Sequence, residues 1–580
     1  MSAETPSFSE RWIGYRNRVH ARKARRAARV TEFTSTPEPR TIGSFARGRQ
    51  LVSGNLMFAG HLVQEKARSP WDLSPPDAAF EAELHGFAWL DDLAALGDLQ
   101  ARKTAQRWVF DWIARYSNGR GAGWVPDLTG RRLMRWINHA LFLLSGTSKE
   151  EADWFFASLA QQTTFLSRRW PVSSDGLPRF EALAGTIYAG LSLNGMEAHV
   201  DPALKALSVQ CDSQIDAQGG IITRNPEELL SVFSLLNWAG LALEAAGRPV
   251  PEAQRAAVER IAPTLRALRH ADGGLARFHG GGRGAEGRLD QALADSGVRG
   301  KRSAELAMGY ARLSGGRTSV VIDSAAPPQG RASRSAHAST LAFEMTSGRR
   351  PVIVNCGSGV QFGEEWARAG RATPMHSTLV LDNSSSSHLG AAEQADWLVE
   401  VPQDVPWEIS PVTDGVQYRG GHDGYVARYG LTHARMIEVS TDGRAVVGED
   451  MLVALRDRDK AQVEAAMTGA LGGLPFEVRF HIHPDVESTL DMGGTAISLA
   501  LKSGEIWVFR SGGGSSMSLE ASVYLEKGRL KPRAARQIVL SGTAKASATR
   551  IRWSLAKAKD TPTGLRDITP DPLDIDQTDD

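Results

Sequence analysis

From about Gly48 to Pro263, apolar residues recur every three or four positions, in WVFDWIARY, RRLMRWINHALFLLSG, EADWFFASLAQQTTFLSRRW, EALAGTIYAGLSLNG, ALKALSVQCDSQI and EELLSVFSLLNWAGLALEAAG. That spacing gives each segment one apolar face and predicts amphipathic helices. Gly and Pro punctuate the series at NGRGAGW, PVSSDGLPR, DAQGG and GRPVPE, so neighbouring helices should form hairpins packed in a ring or bundle. The texture changes through HADGGLARFHGGGRG. Beyond Gly309 the runs shorten to TSVVIDS, STLAFEM, RPVIVNC, STLVLDN, WLVEV, ARMIEVS, FEVRFHIHP, AISLAL, EIWVFRS, RQIVLSG and RIRWSLA. Short strands at that density, separated by Gly, Asp and Ser, predict a large antiparallel β-sandwich. The pattern reads as α followed by β.

Composition narrows the classes. A chain of 580 residues exceeds what one core can serve and predicts at least two domains. A net charge of +1 creates no global field, so nucleic-acid binding is not expected; only a local patch could steer a polyanion. Fifteen Trp against eight Tyr would suit stacking on sugar rings as well as helix packing. Cys211 and Cys356 lie far apart, which excludes a disulfide scaffold or a CxxC metal knuckle. No uninterrupted apolar run of membrane-spanning length is present, so no transmembrane helix is expected. The basic start, RWIGYRNRVHARKARRAARV, lacks the apolar core of an export signal; it reads as a solvated helix or arm, or as a surface-seeking helix near anionic lipid. The acidic, Pro-rich end, DTPTGLRDITPDPLDIDQTDD, reads as disordered.

Several groups could carry chemistry. His337 starts the predicted strand Ser339–Met345, and His376 precedes the predicted strand Ser377–Asp382, so both rings could reach one rim of a sheet. Arg132 and Trp136 are four apart and share a helix face, where a guanidinium beside an indole could hold a carboxylate and stack a pyranose; packing inside the helix array is the alternative. Of Asn138 and His139, adjacent and diverging, at most one joins that face. His422 and Tyr425 flank a Gly turn and could exchange a proton, or simply brace the turn. His433 and Arg435 alternate onto one strand face, as do His481 and His483, which suit a framework role. Tyr188 sits mid-helix in an apolar run, mainly a core position. Paired acids, Asp91 with Asp92 or Glu227 with Glu228, would be needed for hydrolysis, but adjacent acids diverge on a helix.

The segment SRSAHASTLAFEMTSGRRPVIVNCGSG, with RATPMHSTLVLDN after it, resembles the C-terminal domain of the heparinase II/III polysaccharide lyases. His337, Leu341, Phe343, Glu344, Gly357, His376 and Thr378 carry the match, with Asn355 aligned between Glu344 and Gly357. Ser335, Ser339, Asn355 and Ser377 depart from it, standing where the family has His, Asp, Asp and Asn. Trp124, Pro126, Arg132 and Trp136 resemble a family element of the helical domain, and HDGY…G…HxR resembles a sandwich element. The resemblance implies an N-terminal incomplete α/α toroid followed by an antiparallel β-sandwich. The expected boundaries are 1–42 for a basic arm, 43–300 for the toroid, 301–558 for the sandwich and 559–580 for an acidic tail.

It also implies β-elimination on an acidic, uronate-containing polysaccharide in a cleft between the domains, with Asn and Tyr from the toroid and His from the sandwich. Neither toroid residue is kept: DGLPRFEA lacks the Asn, and Glu227 or Glu228 occupies the Tyr position. The expected site is therefore His422 and Tyr425 as the acid/base pair, with Trp124, Arg132, Trp136 and Asn138 on substrate. No cofactor is required; His337 and His376 mark where the resemblance allows a structural zinc. The competing expectation is a degenerate glycan-binding or envelope-assembly protein on the same scaffold. The resemblance suggests the cell envelope or periplasm, whereas the missing signal suggests the cytoplasm.

Overall fold

The computed structural model describes residues 8–26, 30–35, 38–64, 69–300, 306–469, 472–559, 561 and 567. The chain forms two compact units that interleave in sequence. The first comprises Met1–Ala217, Leu230–Ala262 and Asp290–Val298; the second comprises Gln218–Leu229, Pro263–Leu289 and Arg299–Asp580.

The first unit is helical. Its main helices include Phe8–Ala24, Leu99–Tyr116, Pro126–Asn138, Lys149–Arg169, Leu177–Ser192 and Val200–Gln214. Their starts follow capping chemistry. The Asp98 carboxylate accepts the Ala101 N–H, and Ser148 with Glu151 forms a reciprocal capping box. Helices Pro126–Asn138 and Leu177–Ser192 cross on glycine: a Cβ at Gly130 would lie 2.2 Å from the Glu181 carbonyl oxygen, and one at Gly185 would lie 2.5 Å from the Gly130 Cα. Only hydrogen side chains permit that approach. Of the two uses open to the tryptophans, sugar stacking and helix packing, the second accounts for most of those in this unit. Trp71, Trp89, Trp108, Trp112, Trp124 and Trp136 are buried, and Trp112 meets both Trp124 and Trp136. The helix Pro226–Ala245 is long and apolar enough to cross a bilayer, but 67% of its apolar stretch is buried within the protein, as in a core helix. Residues 8–24 of the expected basic arm form the first helix. The expected tail lies outside the described residues except for Lys559, Thr561 and Asp567.

The second unit is built on two eight-stranded antiparallel sheets. One runs in the order Ser516–Tyr524, Arg533–Ala544, Leu474–Ile482, Arg350–Val354, Phe343–Ser347, Thr318–Asp323, Tyr310–Gly315, with Leu379–Leu381 pairing beside Leu474–Ile482. The other runs Trp407–Val412, Gly415–His422, Thr432–Ser440, Ala445–Val453, Ala548–Lys557, Ile506–Ser511, Ala496–Ala500, Glu487–Asp491. Phe343 of the first sheet stacks on Trp553 of the second, with ring centroids 5.7 Å apart and planes 4° from parallel. Phe480 and Phe509 complete that seam. Strand Thr432–Ser440 shows how alternation sets function: its inward positions are His433, Arg435, Ile437 and Val439. Two polar residues thus take core positions and must be satisfied there.

The expected strand Ser339–Met345 begins only at Phe343. Leu341 has φ +63°, its N–H donates to the Asp323 carbonyl, and Ala342 N–H returns to Ser339, so the segment is a buried turn before it is a strand. Likewise the strand expected over Ser377–Asp382 narrows to Leu379–Leu381, because Asp382 and Asn383 are both left-handed.

Candidate functional site

Within the second unit a buried polar cluster surrounds His337. The His376 Nδ1 lies 2.9 Å from the Ala372 carbonyl, which can only accept, so that nitrogen carries the hydrogen. His376 Nε2 is then a bare acceptor, and His337 Nδ1, 3.0 Å away, donates to it. The backbone N–H of His337 donates to His279 Nδ1 at 3.1 Å, which leaves the His279 hydrogen on Nε2, 3.5 Å from Asp323 Oδ2. Asp323 also accepts from Arg224 (2.5 Å) and Ser339 Oγ (2.7 Å). Burial pulls the His376 ring down to about 4 and holds His337 and His279 well below the usual imidazole range. All three rings are therefore neutral near pH 7. Burial pushes Asp323 upward, with Arg224 opposing.

A second group adjoins through Glu344. Its Oε2 accepts from His270 Nε2 (3.0 Å) and from the Arg277 N–H (3.1 Å). Burial would raise this carboxyl, yet the His270 bond and the Arg277 charge carry it below its usual value. The Arg277 guanidinium lies 4.0 Å from the Tyr524 ring centroid and donates to the Cys356 and Leu525 carbonyls. His481 is held by Pro374 O and Ser522 Oγ, at 2.9 and 2.8 Å.

These residues do not fit the zinc allowed for His337 and His376. The two ring nitrogens that face each other share a hydrogen bond, so their lone pairs do not converge on a common point. The Asn355 amide oxygen is engaged by the Ser377 N–H at 2.9 Å. No group of three or more His, Cys, Asp or Glu side chains among the described residues could hold a metal ion.

His422 and Tyr425 do not form the expected acid/base pair. The Tyr425 hydroxyl donates to the Leu379 carbonyl at 2.9 Å. His422 Nδ1 accepts the Gly424 N–H, so its Nε2–H donates to His433 Nδ1 (3.2 Å), and His433 Nε2–H donates to Asp450 (2.8 Å). Asp450 further accepts from Arg435 Nε (2.7 Å) and Trp553 Nε1 (2.9 Å). Arg435 continues to the Leu341 and Ser377 carbonyls at 2.7 and 2.8 Å, the two turns beside His337 and His376. Both expected residues are buried, and their polar atoms are engaged in bracing turns and core.

In the first unit, Arg132 is fully buried and all of its donating nitrogens are engaged. It donates to Gln162 Oε1 (2.7 Å), the His85 carbonyl (3.0 Å), the Gly123 carbonyl (3.2 Å) and Thr129, and its guanidinium lies 4.1 Å from the centroid of Trp112. Burial draws this arginine down to about 9. Trp136 stacks on Phe155, and Trp124 Nε1 donates to the Tyr116 carbonyl. The carboxylate clamp and stacking platform expected of these three are thus taken up by internal packing. Asn138 is buried too, with Oδ1 accepting the Tyr188 hydroxyl at 2.5 Å. Asp91, offered earlier as one of a pair of acids, accepts from His139, Arg135 and Thr41, whereas Asp92 takes the Ser44 N–H.

At the position that the resemblance assigns to the family's tyrosine, Glu228 accepts from Thr223 Oγ1 (2.9 Å), and Glu227 accepts the Gly282 N–H and pairs with Lys527. Asn225 caps both through its side-chain oxygen. The sequence reading missed His279, Asp323, Arg224 and the His270–Glu344–Arg277 group. The available signal was a lone histidine among glycines: His279 has φ +46°, and a Cβ at Gly280 would lie 3.0 Å from Ser335.

Helices followed by a double antiparallel sheet with a buried histidine rim define a class, and the comparisons agree. Residues 299–554 match the model of the heparinase II/III-like C-terminal domain, and the chain belongs to the heparinase II/III-like family. The fold is that of a toroid followed by a sandwich. Heparinase III superposes with TM-score 0.68 at 13% identity, covering 94% of this chain and 89% of that one. A heparan sulfate lyase HepC mutant from Pedobacter heparinus gives TM-score 0.57 at 16% identity, covering 94% and 88%. Among curated proteins, the chain is 32% identical to FtsZ-localized protein C of Caulobacter vibrioides over 532 residues, 90% of this chain and 89% of that protein.

Proposed function

We propose that this chain uses the lyase scaffold without lyase chemistry and acts as an assembly protein at structures built on FtsZ. The observation that carries this is the state of the histidine rim. His337, the sandwich histidine, is buried, neutral and bonded to a second buried histidine, while a capped glutamate pair stands where the family has tyrosine. β-Elimination requires a group that removes the C5 proton and another that protonates the leaving oxygen, both in contact with substrate. It also requires donors aimed at the carboxylate. The polar side-chain atoms of His422, Tyr425 and Arg132, expected to do this, are engaged internally. The similarity to FtsZ-localized protein C extends along nearly the whole of both chains, which supports a shared role for the complete two-unit protein.

The test has two arms. Incubation with heparan sulfate, chondroitin sulfate and alginate should give none of the ultraviolet absorbance of an unsaturated uronate product. Sedimentation with GTP-polymerised FtsZ should carry the protein into the pellet. Product formation abolished by His337→Ala would overturn the reading in favour of a lyase, and failure to co-sediment would remove the assembly role.

A further inference from the structure

In the second unit, the last strand, Ala548–Lys557, brings the chain to one end of the double sheet. The Lys557 N–H donates to the Arg444 carbonyl (2.8 Å) and the Ala558 N–H to the Ile506 carbonyl (2.9 Å), while the Arg444 guanidinium donates to the carbonyls of Ala558 and Thr561 at 3.0 and 3.2 Å. Beside this path lies the turn that joins Phe343–Ser347 to Arg350–Val354 in the other sheet. Glu505 ties the two together, accepting from Lys557 Nζ at 3.1 Å and from Ser347 Oγ at 2.5 Å. The side chains gathered here are mainly cationic: Arg349 and Arg350 in the turn, Arg317 against Gly348 of the same turn, and Arg444 with Lys557. Residues 560–580 are the reverse, with seven Asp and one cation, Arg566. Asp567 is where the two meet. Arg350 holds its carboxylate in a fork, Nε to Oδ2 at 2.6 Å and Nη2 to Oδ1 at 2.9 Å, and Arg349 Nε adds a bond to Oδ2 at 3.0 Å. The Asp567 side chain is 4% exposed, although the residue as a whole is only half-buried, so it is the carboxylate that is inserted.

We propose that Arg349 and Arg350 form a carboxylate-recognition site whose ligand is the chain's own Asp567, and that this contact is a reversible latch on the C-terminal end. A guanidinium fork matches the two oxygens of a planar carboxylate, and its charge-assisted bonds are stronger than those to an amide or hydroxyl. Asp567 follows Lys557, the end of the last strand, by ten residues. Such a tether keeps the carboxylate at an effective concentration on the order of millimolar, so a site of modest intrinsic affinity stays filled. Opening the latch breaks this ion pair and leaves the apolar core between the sheets, to which neither arginine nor Asp567 belongs, as it was. The contact can therefore open without unfolding of the unit. This site is independent of the FtsZ reading.

The experiment is brief trypsin digestion of the full chain, with mass spectrometry following the loss of residues 567–580. The bond after Arg566 adjoins Asp567, so trypsin takes it only when Asp567 leaves the arginines, and the cleavage rate reads the open population. Rates are normalised to those of free peptides spanning residues 561–571, which removes the intrinsic preference of trypsin at that bond. Asp567→Asn and Arg350→Gln should each raise the normalised rate at least about tenfold, through loss of charge-assisted bonds. Arg349→Gln, at a side chain 36% exposed, should raise it less. Asp567→Asn/Arg350→Gln should cleave no faster than Asp567→Asn alone, because both remove the same contact. Asp574→Asn/Asp576→Asn, which removes more charge from the same end, should cleave as the parent does. Each variant should keep the parent's circular dichroism and its behaviour with FtsZ, which separates this test from the previous one. Equal normalised rates in the parent, Asp567→Asn and Arg350→Gln would overturn the proposal. So would additive gains in the double variant, or an equal gain in Asp574→Asn/Asp576→Asn.

Discussion

Asp450→Asn should be among the most damaging single substitutions in the second unit. The carboxylate is wholly buried and accepts from Arg435, His433 and Trp553, at 2.7, 2.8 and 2.9 Å. An amide keeps the shape but removes the charge facing a buried guanidinium. Breaking one partner of a buried ion pair costs about 3–5 kcal/mol, because the remaining charge stays desolvated. For a unit of this size that corresponds to a fall in Tm of about 4–7 °C. Arg435 also holds the carbonyls of Leu341 and Ser377, so the loss loosens both turns that carry the histidine rim. The assay is urea unfolding followed by tryptophan fluorescence, with Trp553 beside the mutated group. Asp450→Asn/Arg435→Met should recover at least about 2 kcal/mol relative to the sum of the single variants, since it removes both charges. A parent-like midpoint for Asp450→Asn, or strict additivity in the double variant, would refute the claim that this pair braces the rim.

Arg132→Ala should destabilise the first unit by about 3 kcal/mol, by stranding the acceptors that Arg132 serves, and leave polysaccharide binding unchanged; calorimetry and a glycan-binding assay check the two halves. Acid should weaken the fold in a defined window. His376 titrates near 4 in the folded chain and near 6.5 when unfolded, so its contribution is complete above pH 6.5 and is lost as pH falls toward 4. Stability measured from pH 7 to 4 should accordingly drop, and His376→Gln should reduce the slope by about one proton. Cys211 and Cys356 are buried, with burial pushing their thiols to about 12 and about 11, so a thiol reagent should label both only after unfolding; fast labelling of the native chain contradicts this.

Periodicity made the architecture legible. The helical segments from Trp108 to Gly247 and most strands from Thr318 onward follow directly from spacing, because burial on one face leaves a strong imprint. Strands such as Trp407–Val412 and Ser516–Tyr524 were not legible, since they are mostly exposed or half-exposed and carry few large apolar residues. Roles were harder to read than elements. Arg132, Trp136, His433 and Arg435 have the residue types of a sugar site, and only burial and partner geometry show that they pack the interior. His279 and Asp323 were invisible because one lies in a glycine stretch and the other ends an apolar strand. Their relation to His337 exists only once the turn at Leu341 brings three segments together.

The central claim is that a heparinase-type rim has become internal framework. Its most direct test is the initial rate of unsaturated-product formation on a panel of uronate polymers, comparing the parent with His337→Ala. The account predicts no product above background for either protein. A parent rate that vanishes in a folded His337→Ala variant would contradict it.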